Sequence, residues 1–112
     1  MRIERFEDII AWQKAKELTV RMYSLFSESK DFGFNNQIQR ASVSVMNNIT
    51  EGFERKGNKE FKQFLFKGGS SGEVRSMLCL AHELNKISDQ DFKILFKLSE
   101  EISMLSGLIK TL

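Results

Sequence analysis

Apolar residues recur along this chain in steps of three and four, the spacing that lines up side chains on one face of an α-helix. Over residues 6–27 the stripe is Ala11, Ala15, Leu18, Met22 and Leu25, widened by Trp12, Tyr23 and Phe26. The stretch SESKDFGFNN breaks the period with a glycine and short polar residues, and Asn35 or Asn36 is placed to cap the next helix. That second helix is expected from Asn36 to Lys56, with Ile38, Ala41, Val45, Ile49 and Gly52 in line and Val43, Met46 and Phe53 beside them. Small residues on that face permit close approach of another helix. Lys56-Gly57-Asn58 then supplies a terminal glycine and a fresh cap.

Beyond Asn58, Phe61, Phe64 and Leu65 lead on to Val74, Leu78, Ala81 and Leu84. Ser88 with Asp91 three residues later resembles a capping box and marks a restart. Phe92, Leu95, Phe96, Ile102, Leu105 and Ile109 line the last helix. Nothing alternates with period two, so the fold class is all-α.

Five small residues, Gly68 to Gly72, interrupt the third segment. A flexible linker is one reading, since Gly and Ser dominate such connectors, and Ser70 with Glu73 has capping-box spacing. A phosphate-binding loop fails, because it needs a strand before it and a Lys-Ser/Thr pair at its end. The third reading keeps one helix from Asn58 to Lys86. Steps of three or four from Phe61 through Gly68 and Gly72 reach Val74, Leu78 and Ala81, so the apolar phase is the same on both sides. Each exposed glycine costs about 1 kcal/mol relative to alanine in a helix, tolerable where small residues let a neighbouring helix or subunit approach.

The length of 112 residues suits a single domain spanning 1–112. The absence of proline favours long helices, and ten Phe against one Tyr and one Trp suit apolar filling. The mixed charges of MRIERFEDIIAW are unlike a signal peptide, and no apolar run approaches the roughly 18 residues of a membrane span. One cysteine, Cys79, excludes an internal disulfide and suits a reducing interior. A cytoplasmic protein without a membrane partner is expected.

Net charge is only +2, but it is uneven. Arg55, Lys56, Lys59, Lys62 and Lys67 oppose Glu60 alone, so residues 55–67 carry +4. Arg55, Lys56, Lys59 and Lys62 are the candidate nucleic-acid-binding residues, because clustered cations attract phosphates without reading sequence. An ordinary solvated turn is the alternative. His82 follows Cys79 by three residues, but a nucleophile pair or metal site needs further groups, and a buried Cys with a satisfied His is expected instead. Glu51 and Glu73 could act together in acid–base chemistry or hold a divalent ion; pairing with Arg40, Arg55 or Arg75 is expected. Asn47 and Asn48 either bond across a helix interface or face water. No catalytic residues, metal or cofactor are called for.

FEDIIAWQKAKEL, QIQRASVSVMNNITEGFERKGNKEFKQFL, GSSGEV and LSGLIKTL together resemble the four-helix-bundle family encoded in intervening sequences of bacterial 23S rRNA genes. That family is also similar to the accessory variability determinant of diversity-generating retroelements. The most specific part is Gln37-Ile38-x-Arg40-Ala41-Ser42, then Asn48-Ile49-x-Glu51-Gly52, then Phe61, Phe64 and Leu65. The resemblance implies an antiparallel up-and-down four-helix bundle, with the third helix running through Gly69 to Glu73. It also implies ring-shaped homo-oligomers, commonly homopentamers. The family often has proline where this chain has Met46, and alanine or larger in place of Gly68; the first departure leaves helix two straighter. The function expected is a non-enzymatic oligomer that binds or scaffolds nucleic acid, RNA foremost, or a protein that handles it. The alternative is a protein–protein adaptor that binds no nucleic acid.

Overall fold

The computed structural model describes residues 4–54 and 72–110, and the side chains of the last helix as far as Ser106. A 3-10 turn, Phe6–Asp8, precedes α1 (Ile10–Leu25), α2 (Phe32–Glu54), α3 (Gly72–Glu83) and α4 (Asp89–Lys110), and no strand occurs among the described residues. The fold is all-α.

The expected first helix divides at Ile9, whose backbone is extended at φ −76° and ψ 119°. At 100° per residue, an unbroken helix would turn position 9 away from the Ala11–Ala15–Leu18 stripe. The break instead delivers Ile9 to the core, where it is 1% exposed. Gln13 Nε2 donates to the Glu7 carbonyl at 2.9 Å, and the Phe6 ring meets Trp12 edge-on at 5.0 Å, so the turn is fastened back onto α1.

Helix α2 begins four residues before the expected start. Asp31 Oδ1 accepts the Phe34 N–H at 3.2 Å, making Asp31 the cap in place of Asn35 or Asn36. Asn35 is buried inside the first turn, and its Nδ2 donates to the Ser29 carbonyl at 3.0 Å. Helix α2 continues unbroken through Met46.

Helix α3 stops at Glu83, short of Lys86. Asn85 takes a left-handed φ of 59°, its N–H donates to His82 O at 3.0 Å, and the Lys86 N–H donates to Ala81 O at 2.8 Å. That bond pair is the Schellman turn, with Asn in the position glycine usually holds. Leu84, still bonded into the helix through the Leu80 carbonyl at 2.9 Å, lies off the apolar stripe and is 54% exposed. Ser88 Oγ accepts the Asp91 N–H at 3.1 Å and opens α4 as expected.

The predicted faces are the buried ones. Ala11, Ala15, Leu18 and Met22 of α1 share the core with Ile38, Ala41, Val45 and Ile49 of α2, with Val74, Leu78 and Ala81 of α3, and with Leu95 and Ile102 of α4. Each large side chain among them is worth about 1.5–3 kcal/mol on burial. Gly52 is buried as expected; Met77, Leu98, Ser99 and Ser106 join the buried set in addition. Thr19 and Ser42 sit in the core without penalty, because each hydroxyl donates to a carbonyl one turn back, at 2.8 and 2.9 Å.

Contacts fix direction. Lys14 meets Glu101, whereas Arg21 and Ser24 lie beside Asp91 and Ile94, so α1 and α4 run antiparallel. Arg75 meets Ser103 while His82 meets Asp89, so α3 and α4 do the same. Lys86 reaches Asp31 at 2.9 Å, which places the loops 26–31 and 84–88 at one end.

Candidate nucleic-acid interface

The four cations singled out from sequence, Arg55, Lys56, Lys59 and Lys62, lie outside the described residues, as does the Gly68–Ser71 part of the small-residue stretch. The neighbouring geometry is defined. Helix α2 carries the chain from Asp31 at the loop end to Glu54 at the far end, about 34 Å away at 1.5 Å per residue. The basic run therefore begins in sequence at the end of α2 opposite the Asp31–Lys86 contact. Gly72 is helical, and a Cβ placed on it would meet nothing within 4 Å. Packing among the described residues does not account for that glycine.

Several described cations are engaged within the fold. Lys14 binds Glu101 at 2.8 Å between α1 and α4, and Arg21 binds Glu17 at 3.3 Å along α1. Lys86 binds Asp31 and also stands 5.1 Å from the centre of the Phe34 ring. Hydrogen bonding from Lys14 holds the Glu101 carboxyl below its usual range. Hydrogen bonding from Lys86, then the Phe34 N–H, does the same for Asp31. These partly exposed ion pairs link neighbouring elements of the fold.

Cys79 is exposed, where a buried thiol was expected. It lies on the outer side of α3, because Val74, Leu78 and Ala81 take the core positions. His82 is satisfied as expected: its Nε2 hydrogen-bonds Asp89 Oδ1, and its ring stacks on Phe92 with centroids 4.5 Å apart. That contact lowers the Asp89 carboxyl, chiefly through the hydrogen bond. Among the described residues no cluster of three or more His, Cys, Asp or Glu could hold a metal ion.

Among the described residues Glu51 and Glu73 pair with neither Arg40 nor Arg75, and Arg55, the third expected partner, lies outside the described residues. Arg75 Nη1 donates to Ser103 Oγ at 2.8 Å, because α4 presents hydroxyls to α3 at that level. Asn48 turns back along its own helix, donating to Ser44 O at 2.8 Å and Ser44 Oγ at 3.1 Å, and Asn47 faces solvent.

An open polar groove runs along α2, lined by Tyr23, Arg40, Val43, Ser44, Asn47, Asn48 and Glu51. From sequence, Arg40 and Glu51 are expected as an ion pair and Asn47 with Asn48 as interface or solvent groups, and the surface that all four share is not apparent. The signal was present in the steps Arg40, Ser44, Asn47, Glu51, a polar stripe at helical spacing opposite the apolar one.

These features define a small all-α protein with fastened loops at one end, an open polar groove along its second helix, and a basic run in sequence after that helix. Residues 7–107 match the 23S rRNA-intervening sequence protein family, and the chain belongs to that family. No curated protein matches the sequence closely enough to count as a relative.

Proposed function

We propose that the protein is a non-enzymatic, oligomeric helical bundle that binds or scaffolds nucleic acid, RNA foremost, or a protein that handles it. The observation carrying this reading is the +4 run at residues 55–67 in a member of a family named for 23S rRNA intervening sequences. The likeness to the accessory variability determinant of retroelements points the same way, towards a nucleic-acid-handling setting. Ring assembly, as a pentamer, would repeat the patch about an axis and make individually weak phosphate sites useful together. Support for assembly comes from Gly72, which no described neighbour in its own chain requires, and from Leu80 and Leu84, exposed towards the end of the same segment.

Anisotropy of a labelled single-stranded RNA, titrated at several salt concentrations, tests the reading. Affinity should depend little on sequence and fall steeply with salt. Replacing Lys59 and Lys62 with Gln should lower affinity and reduce the salt slope by about one unit for each lysine that binds a phosphate. Unchanged affinity in an intact oligomer would overturn the site and favour the adaptor.

A further inference from the structure

The groove between α1 and α2 has walls of different chemistry. Tyr23 of α1 stands along one side, 48% exposed, and Val20, three residues earlier on the same helix, is 62% exposed. Helix α2 contributes Arg40 and then the short polar side chains of Ser44, Asn47 and Asn48. The space is about 420 Å³, within the roughly 300–1,000 Å³ of small-ligand sites. Among the described residues, no ion pair or hydrogen bond engages the Arg40 guanidinium or the Tyr23 hydroxyl. Asn47 is exposed, and Asn48 donates to Ser44 while keeping a carbonyl acceptor.

An accessible aromatic ring, an uncommitted guanidinium and short amides are the groups that hold an unstacked nucleobase. Ring and guanidinium planes stack on its face, and amides bond its edge. A base inside a duplex offers neither, since its faces are stacked and its pairing edge is occupied. An apolar partner helix is disfavoured, because the α2 wall is polar from Arg40 to Asn48 apart from half-buried Val43 and Val45 and Met46, which turn inward.

We propose that this groove is the base-binding half of the nucleic-acid site and selects single strands. The inference rests on the RNA reading above and adds to it a contribution that does not depend on charge. From Arg40 to Glu54 is about 21 Å of helix, and the basic run begins with the next residue. A strand lying along α2 therefore leaves the groove where that run starts. Its bases meet Tyr23, Arg40 and the asparagines, and its phosphates go on to the cations at 55–62.

Anisotropy with a labelled oligouridylate of about 15 nucleotides, single-stranded or annealed to its complement, tests the assignment on the full chain. Y23A should weaken single-strand binding about five- to hundredfold, the loss of one stacked base. Y23F keeps the ring and should stay within about threefold of the wild type. The salt slope of Y23A should be unchanged, because stacking releases no counterions, whereas K59Q/K62Q should lower slope and affinity together. Duplex affinity should not respond to Y23A. Adenosine monophosphate should not displace the strand at equal nucleotide concentration; displacement would replace the strand with a free nucleotide. Y23A that binds single strands like the wild type would overturn the proposal, as would equal losses on single strand and duplex. Altered sedimentation of Y23A with unchanged RNA affinity would assign the groove to a contact between protein chains. If the wild type binds no RNA, the RNA reading falls and this one with it. If K59Q/K62Q loses binding and Y23A does not, only the groove falls.

Discussion

The Lys86 ammonium lies 2.9 Å from the Asp31 carboxylate, a contact across 55 residues that joins the α1–α2 loop to the α3–α4 loop. The same carboxylate caps α2 through the Phe34 N–H. Lys86 is thereby held over the Phe34 ring. One acidic side chain starts a helix and also ties together two hairpins.

This double role gives a pH dependence. The Asp31 carboxyl is held low, first by Lys86 and then by the Phe34 N–H. A carboxyl lowered in the folded state favours folding only while ionised. Its contribution should be complete above about pH 5 and vanish as pH falls through about 4 and below. D31N keeps a capping acceptor but loses the charge. Its melting temperature should lie below wild type at pH 7, and the gap should narrow as pH falls below the usual carboxylate range and through the lowered pKa of Asp31. A gap independent of pH would mean that the ion pair contributes nothing.

Buried and exposed members of the predicted stripes should separate cleanly. Ile102 is fully buried, so Ile102→Ala should cost about 2–5 kcal/mol in chemical denaturation. Leu84, which is exposed at the end of α3, should tolerate Leu84→Ala within about 0.5 kcal/mol. Equal costs would place Leu84 in the core.

Two serines should respond in opposite senses. Ser88→Ala removes the α4 cap and should destabilise by about 1 kcal/mol. Ser106 Oγ is buried without a hydrogen-bond partner among the described residues. Leaving a buried polar group unpaired costs about 1–3 kcal/mol, so Ser106→Ala should be neutral or stabilising up to that amount. Denaturation midpoints of the two variants decide both points.

Gly72→Ala distinguishes a requirement within the chain from one between chains. A Cβ there meets nothing within 4 Å, so alanine should stabilise the subunit through helix propensity, by at most about 1 kcal/mol. If α3 packs against another copy at Gly72, self-association should weaken at the same time. Thermal melts and sedimentation on the same samples read the two effects separately; unchanged association would remove Gly72 from the seam.

The helix faces were legible in the sequence because burial imposes a period of 3.6 that many residues report together. Ile38, Ala41, Val45, Ile49 and Gly52 are buried as the pattern requires, and one misplaced residue would not hide such a signal. Helix ends depend on single residues in competition. Asp31, Asn35 and Asn36 are all good caps, and the choice fell to Asp31 while Asn35 was drawn inward to bond Ser29. Ile9 broke the first helix because its burial outweighed local continuity.

By itself, then, the sequence determined helical identity, the inward faces and the α4 cap, since these arise from spacing and local backbone chemistry. It also located the concentration of positive charge at residues 55–67, because charge is a property of composition. Only the tertiary structure decided which charges meet. Lys86 and Asp31 are far apart in the chain, and Arg75 had acidic candidates yet took Ser103. It also gathered Tyr23 of α1 with Arg40, Asn47 and Glu51 of α2 into one groove. The reason is range: periodicity acts over a few residues, whereas a groove or an ion pair between helices exists only once the helices have packed.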